Sequence, residues 1–438
     1  MIEICAVGGY SEFGRNMTAL RVDDEVIIID MGLHMDNFIR VQGDEDPHNM
    51  NNIRLKKANA IPDYTLLKHW KHMVKAIIPT HAHLDHVGAV PFISNKFDAK
   101  IICTPFTAEV LKAIISDDKR NLKNPIKVIH PNSSYKISDN IETEFINITH
   151  STPQTPLLAI HTPYGTIVYS NDFKLDSSPM LGSKPNFERI QSLDNVIALI
   201  TDCTRAWDAR KTPSEAVAKE MLRDVMMSTD SDGKAIIVTT FSSHLARLKS
   251  IIEFGKAKNR KIVFLGRSLA KYVEAGRKAG IVNFKEVDIV KYRQAIQKKL
   301  KRISKRAEDY LIVVTGHQGE PQSVLSRMAK GEFHFDFKYE DQVIFSCTII
   351  PNEINIANRE RLEEKLKEKG VRIFRDIHVS GHAAREDLRD LVNMVKPKHI
   401  IPAHGDRDMM DAMKELALEM RYSEDEIHML ENGDFLKI

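Results

Sequence analysis

The segment "IPTHAHLDHVG", Ile78 to Gly88, sets His81, His83, Asp85 and His86 within six positions. Imidazole nitrogens and carboxylate oxygens are the donors that Zn²⁺ and related divalent ions take. The spacing fits the donors to one place. "VKAIIPT" reads as a strand, and residues two apart in an extended chain point to the same side, so His81 and His83 share a face. The chain then turns into "LDHVGAVPFI", which places Asp85 and His86 at a helix start facing the strand end. One ion could take the two strand histidines and another Asp85 with His86. A single histidine is most often a hydrogen-bonded core residue. Four donors in H-x-H-x-D-H directly after an apolar strand are poorly explained that way.

The elements that must hold these groups follow from the hydrophobic pattern. Up to about residue 170 the chain alternates short β-rich runs with turn residues: "IEICAVGG", "ALRVDDEVIIID", "VKAIIPT", "KIICTP", "KVIHP", "IETEFINIT" and "LLAIHTPYGTIVYS". These predict a sheet domain with few long amphipathic helices. From Ser214 the texture changes to strand–helix alternation, with "PSEAVAKEMLRDVMMST" and "SSHLARLKSIIEFGKAK" helical and "KAIIVTT", "KIVFLG", "DYLIVVTG" and "QVIFSCT" strand-like. That alternation predicts a parallel sheet flanked by helices. After "NRERLEEKLKEKG" the first texture returns with "VRIFRDIHVSGH" and "KHIIPAHG", so one α/β domain is interrupted by a second. The boundaries expected are 1–203, 204–368 and 369–438.

Composition sets outer bounds. The chain has 438 residues, 42% of them hydrophobic and 28% charged, as in an ordinary globular protein. "MIEICAVGGY" lacks the pattern of a secretion signal and no window approaches a membrane span, so no membrane association and a cytoplasmic location are expected. Four cysteines about 100 residues apart form no C-x-x-C pair and read as core residues. The net charge of +3 decides nothing, but in "KYRQAIQKKLKRISKR", Lys291 to Arg306, eight of sixteen residues are basic and none acidic. This segment is either a solvated helix face or part of a nucleic-acid-binding face.

The H-x-H-x-D-H motif resembles that of the metallo-β-lactamase superfamily, whose fold is an αββα sandwich. The resemblance implies a third histidine after a later strand, then a bridging aspartate, then a final histidine. Here "FINITHST" supplies His150, "IVYSNDFKLD" supplies Asp172 and "HIIPAHGD" supplies His404. It also implies their roles: one metal on His81, His83, His150 and Asp172, the other on Asp85, His86, Asp172 and His404, with Asp30 of "IIIDMG" supporting them from behind. The 232 residues from Asp172 to His404 exceed what a compact small-molecule hydrolase of the superfamily needs. An inserted β-CASP domain fills that gap in nucleases, and its further motifs match Asp202 in "TDCTRA", His382 in "VSGHA" and His404, the last favouring RNA over DNA. "GGYSEFGRNM", "FLGRS", "TGHQGEP", "TFSSHLAR" and "HVSGHA" are similar to segments of ribonuclease J, and the short layout after His404 resembles its archaeal type. Arg205 and His317 stand where bacterial members often have Asn and Ser.

The resemblance implies a ribonuclease with two Zn²⁺ per chain, Mn²⁺ being the alternative ion, that hydrolyses single-stranded RNA. Asp85, Asp202 and His382 are its candidate catalytic residues, with His382, oriented by Asp202, the general acid. His378, Ser380, Gly381 and His382, with Ser242 and Ser243, are expected to contact a 5′-phosphate and the RNA, giving 5′→3′ exonuclease action. An endoribonuclease of the 3′-processing type is the alternative on the same scaffold. A homodimer and contacts with other RNA-decay factors are also expected. Two further readings remain open: a thioester or lactone hydrolase, which leaves Asp202, His382 and the insert unexplained, and a metal-free RNA-binding paralogue, which would be expected to have lost ligands.

Overall fold

Where two apolar sheets each carry one face of alternating Ile, Val and Leu, they can bury both faces only against each other. The computed structural model describes residues 1–42 and 50–438 and divides into two compact units. The first comprises Met1–Ser177, Ser183–Thr212 and Gly381–Ile438, and the second Ser178–Gly182 and Pro213–Ser380. The sequence texture placed the main junctions at 203/204 and 368/369, and these units meet at 212/213 and 380/381.

The first unit holds two sheets. One has seven strands in the order Phe435–Lys437, Ile2–Gly8, Met17–Val22, Glu25–Ile29, Val74–Ile78, Lys100–Cys103 and Ile126–Val128. The other has six: His399–Ala403, Val196–Asp202, Gly165–Tyr169, Pro156–Thr162, Glu142–Asn147 and Ser133–Lys136. Ile27, Ile29 and Ile78 of the first sheet meet Phe145, Leu158, Ile160, Ile200 and Ile401 of the second in one buried cluster. The neighbouring positions Ile146, Leu157, Ala159, Val168 and Leu199 face the other way, onto Leu388, Leu391 and Val392 of helix Arg385–Val395 and Met410, Met413 and Leu416 of helix Arg407–Glu419. This is the αββα sandwich expected. Truncating any of these Ile, Leu or Met side chains to Ala should cost about 2–5 kcal/mol.

Two elements differ from the sequence reading. Helix Pro105–Asp117 lies in the stretch read as strand-rich. Six of its residues are buried, including Phe106, Ala108, Val110, Leu111 and Ile114, so its apolar pattern is too broad to stand out as amphipathic. The strand Phe435–Lys437 is only three residues long and exists by pairing with Ile2–Gly8, a partner more than 400 residues away.

The second unit has one all-parallel sheet, ordered Asp288–Val290, Lys261–Leu265, Tyr310–Val314, Ile236–Thr239, Gln342–Phe345 and Arg372–Phe374. The helices expected from the sequence are present as Glu215–Arg223, Leu245–Ala257 and Arg267–Lys278. Arg247 is fully buried here. Its guanidinium donates to both carboxylate oxygens of Glu215 at 2.6 and 2.9 Å and to the carbonyls of Ser346 and Ile377 at 3.1 and 2.9 Å. A charge this deep is tolerable only because its donors are paired.

The four cysteines are buried, and burial pushes the thiols of Cys5, Cys103 and Cys347 up to about 12, which makes them inert core groups. The basic segment forms helix Arg293–Ile303, with Ile296, Leu300 and Ile303 buried. Lys298, Lys301, Arg302 and Lys305 remain exposed. No helix among the described residues is long and apolar enough to cross a membrane.

Candidate metal centre

Strand direction alone brings the donors of the first unit to one edge. Glu25–Ile29 and Val74–Ile78 are parallel, so the residues that follow them, Asp30 and His81, emerge together. Gly165–Tyr169, Val196–Asp202 and His399–Ala403 are also mutually parallel, which sends Asp172, Asp202 and His404 out at the same end of the second sheet. Glu142–Asn147 is separated from Gly165–Tyr169 by one antiparallel strand and therefore runs the same way, adding His150. Asp30, Asn171 and His404 each take a positive φ, of 62°, 60° and 55°. Non-glycine residues are rare in that region, and here they turn the chain sharply at the strand ends.

The donors form two clusters that share one carboxylate. His81 Nε2 and His150 Nε2 lie 3.0 and 3.1 Å from His83 Nδ1, and 3.5 and 3.7 Å from Asp172 Oδ2. On the other side, His86 Nε2 and His404 Nε2 lie 3.2 and 3.6 Å from Asp172 Oδ1, and 3.8 and 3.7 Å from Asp85 Oδ2. Each set of ligand atoms fits within 4.8 Å. A tetrahedral ion with bonds of about 2.0–2.1 Å has ligand–ligand edges of about 3.3 Å, so both sets have the dimensions of a coordination shell. Asp172 Oδ1 and His404 Nε2 are buried without a hydrogen-bond partner, a costly state that a bound cation relieves. The donor chemistry and geometry therefore suit a metal site.

A second layer fixes each ring. His81 Nδ1 is 2.9 Å from Asn171 Oδ1, His86 Nδ1 is 2.8 Å from Asp30 Oδ2, and His404 Nδ1 is 2.9 Å from Asn16 Oδ1. His150 Nδ1 lies 2.7 Å from the Gly381 carbonyl. With the proton on Nδ1 in each, Nε2 presents its lone pair to the centre. Asp30 is held in turn by Thr80, whose N–H and hydroxyl donate to it at 2.7 and 2.8 Å. A Cβ on Gly381 would sit 3.0 Å from the His150 ring, so any side chain there would press the ring back by a few tenths of an ångström.

Electrostatics divides the rings. Burial pushes His81 and His150 well below the ordinary histidine range and His83 down to about 4, so these three are neutral and ready to ligate. For His86, burial opposes charge, but Asp172, Asp30 and Asp85 outweigh it and raise its pKa well above the usual value. His382 behaves alike: burial opposes, but Asp202 and Asp172 prevail and hold it up at about 9. Its Nδ1 is 2.8 Å from Asp202 Oδ2 and its Nε2 is 3.9 Å from Asp172 Oδ2.

The remaining sequence candidates lie in the second unit. Ser242 and Ser243 follow strand Ile236–Thr239, and Ser242 Oγ is 2.9 Å from Ser268 Oγ. The Phe241 ring lies 5.9 Å from that of His378, which brings this turn beside the segment carrying His378 and Ser380. Sequence reasoning missed Asn16, Asn171 and Thr80. Asn16 lies inside the quoted "GGYSEFGRNM" turn, where it also donates to the Asp85 carbonyl at 3.1 Å, and nothing in its type announces that role. Glu12 of that turn is neutralised by a two-pronged bond from Arg15, at 2.8 and 2.9 Å.

Three family models cover most of the chain: the metallo-beta-lactamase superfamily at residues 10–202, the beta-CASP domain of ribonuclease J at 233–361, and the Zn-dependent metallo-hydrolase RNA specificity domain at 368–430. The chain is 43% identical to Ribonuclease J of Methanocaldococcus jannaschii, over 99% of this chain and 98% of that one. It is 40% identical to Ribonuclease J of Pyrococcus abyssi, over 100% of this chain and 97% of that one. A crystal structure of a protein of unknown function from Enterococcus faecalis V583 shares the fold, with TM-score 0.66 and 17% identity over 99% of each chain. These matches extend over nearly the whole of both chains, and the chain belongs to the ribonuclease J family.

Proposed function

We propose that this chain is a metal-dependent ribonuclease that shortens single-stranded RNA from its 5′ end, releasing mononucleotides and preferring a 5′-monophosphate. The observation that carries the reading is His382, poised with Nε2 toward Asp172 and Nδ1 on Asp202, beside two donor clusters. A metal-activated water alone suffices for many hydrolyses. A protonated imidazole at its side serves a reaction whose leaving group is a poor one, such as the 3′-oxygen of a nucleotide.

His81, His83, His150 and Asp172 would hold one Zn²⁺, and Asp85, His86, Asp172 and His404 the other, with Mn²⁺ as the alternative. When bound, the ions supply a water of lowered pKa and positive charge beside the phosphoryl oxygens. Asp85, at the open side of its cluster with its side chain 19% exposed, orients that water. His382 holds its proton at Nε2 and gives it to O3′ as the P–O3′ bond breaks. The departing residue gains a 3′-hydroxyl and the shortened strand a 5′-phosphate. Every cycle thus regenerates the end that His378, Ser380, Gly381, Ser242 and Ser243 are proposed to bind through hydroxyl, imidazole and backbone donors. From the family resemblance we also infer a cytoplasmic homodimer working with other RNA-decay factors, and sedimentation of the purified chain checks the dimer.

RNAs bearing a 5′-monophosphate, triphosphate or hydroxyl and labelled at either end test the reading. Labelled mononucleotide from the 5′ end, fastest with monophosphate, is expected. Internal fragments indifferent to the 5′ group would assign the chain to the endoribonuclease class instead.

A further inference from the structure

The chain has two tryptophans, and they are placed in opposite ways. Trp70 is 7% exposed and packs edge-on against Phe435, whereas Trp207 is 61% exposed. An exposed indole offers a large apolar ring to a ligand while its N–H keeps a polar partner. This ring is also fixed, because its Nε1–H donates to the Thr204 carbonyl at 3.2 Å.

The loop that carries Trp207 is fastened to the metal centre's own residues. The Thr204 N–H donates to Asp202 Oδ1 at 2.9 Å, on the carboxylate whose other oxygen meets His382. Arg205 bridges to Ala384, the Arg385 N–H donates to the Asp208 carbonyl at 3.0 Å, and the Thr212 hydroxyl donates to the His382 carbonyl at 2.7 Å. An exposed ring is thereby pre-set within a few bonded contacts of the proposed general acid. Its surroundings are cationic. The Arg205 guanidinium lies 5.8 Å from the Trp207 ring centre, and Arg205 and Arg210 share the single carboxylate of Asp208, which leaves one positive charge in excess.

We propose that Trp207 is a stacking platform for an unpaired base of the RNA at the metal centre, with Arg205 and Arg210 beside it for the phosphate backbone. This rests on the ribonuclease reading above and adds a subsite to it. A rigid aromatic ring flanked by arginine is the chemistry that binds single-stranded nucleic acid without reading its sequence. A duplex, whose bases are already stacked on one another, has no face to offer.

The test is a fluorescence titration of the metal-loaded protein with a cleavage-resistant phosphorothioate oligoribonucleotide, single-stranded and as a duplex. Binding of the single strand should quench the tryptophan emission, and the duplex should not. Trp207→Phe should bind RNA within about twofold of the parent but lose the quench, since the remaining Trp70 is buried. Trp207→Ala should bind about tenfold more weakly. A quench that persists in Trp207→Phe, or a Trp207→Ala variant with parental RNA affinity, overturns the proposal. So does a Trp207→Ala variant whose one change is in its sedimentation, which would show the ring covered by a second copy. A parent protein that neither binds nor cleaves RNA would instead overturn the ribonuclease reading itself.

Discussion

His382 and Asp202 stand 180 residues apart in sequence and 2.8 Å apart in space, Nδ1 to Oδ2. The contact ties the segment after residue 380 to the end of strand Val196–Asp202, and it orients the imidazole so that Nε2 faces Asp172 Oδ2 at 3.9 Å.

If that imidazole is the general acid, His382→Ala should lower kcat by about 10²–10⁴-fold and leave the metal content unchanged, as read by elemental analysis. The acid works only while protonated, so activity is present below its pKa and is lost as pH rises through it. Asp202 and Asp172 hold it at about 9, and bound cations act downward, so the alkaline limb should lie at or below that pH. Asp202→Asn should move the limb lower. A His382→Ala enzyme that keeps the limb would assign it to another group.

The Asn16 side chain accepts from His404 Nδ1, donates to the Asp85 carbonyl and has its amide nitrogen 3.1 Å from His86 Nε2. Asn16→Ala should weaken metal affinity about 10–100-fold at the Asp85–His86–His404 cluster, with little effect on the other. Competition against a chelator of known affinity, followed by counting retained ions per chain, checks the asymmetry.

Much of this centre was legible before the fold was known, and the reason is local. His81, His83, Asp85 and His86 sit within one turn, and His150, Asp172 and His404 each follow an apolar run whose end a sheet must expose. Parallel strand order then did the assembly. What could not be read were groups whose role depends on a distant partner: Asn16 and Asn171 are common turn residues until the fold sets them against His404 and His81. Helix Pro105–Asp117 was lost for the opposite reason, because burial around most of its circumference erases the polar stripe that marks a helix. Trp207 gives no sign in sequence, since its exposure depends on how its loop is fastened.

In the second unit, the buried Arg247–Glu215 pair joins the start of helix Glu215–Arg223 to the backbone at Ser346 and Ile377. Removing one partner leaves an uncompensated buried charge, so Arg247→Met alone should destabilise the chain by about 3–5 kcal/mol in urea unfolding. Arg247→Met with Glu215→Leu should recover a large part of that loss. Equal destabilisation in both would show that the carbonyl contacts, not the ion pair, matter.

The exposed cations of helix Arg293–Ile303 and its flank decide between a solvated face and an RNA contact. Replacing Lys298, Lys301, Arg302 and Lys305 with Gln should reduce the slope of log affinity against log salt by roughly 0.7 for each residue that meets a phosphate. An unchanged slope in RNA binding would assign the helix to solvent.

The most direct measurement follows a 5′-monophosphorylated, 5′-labelled single-stranded RNA with the same protein metal-loaded, chelated and reloaded, and with Asp172→Ala, which removes the carboxylate shared by both clusters. Expected are two zinc ions per chain, labelled mononucleotide released from the first time points, loss of cleavage on chelation, recovery on reloading, and neither ions nor cleavage in Asp172→Ala. RNA left intact by a chain carrying two zinc ions, or cleavage that survives complete metal removal, would contradict the assignment of these residues to a metal-dependent ribonuclease centre.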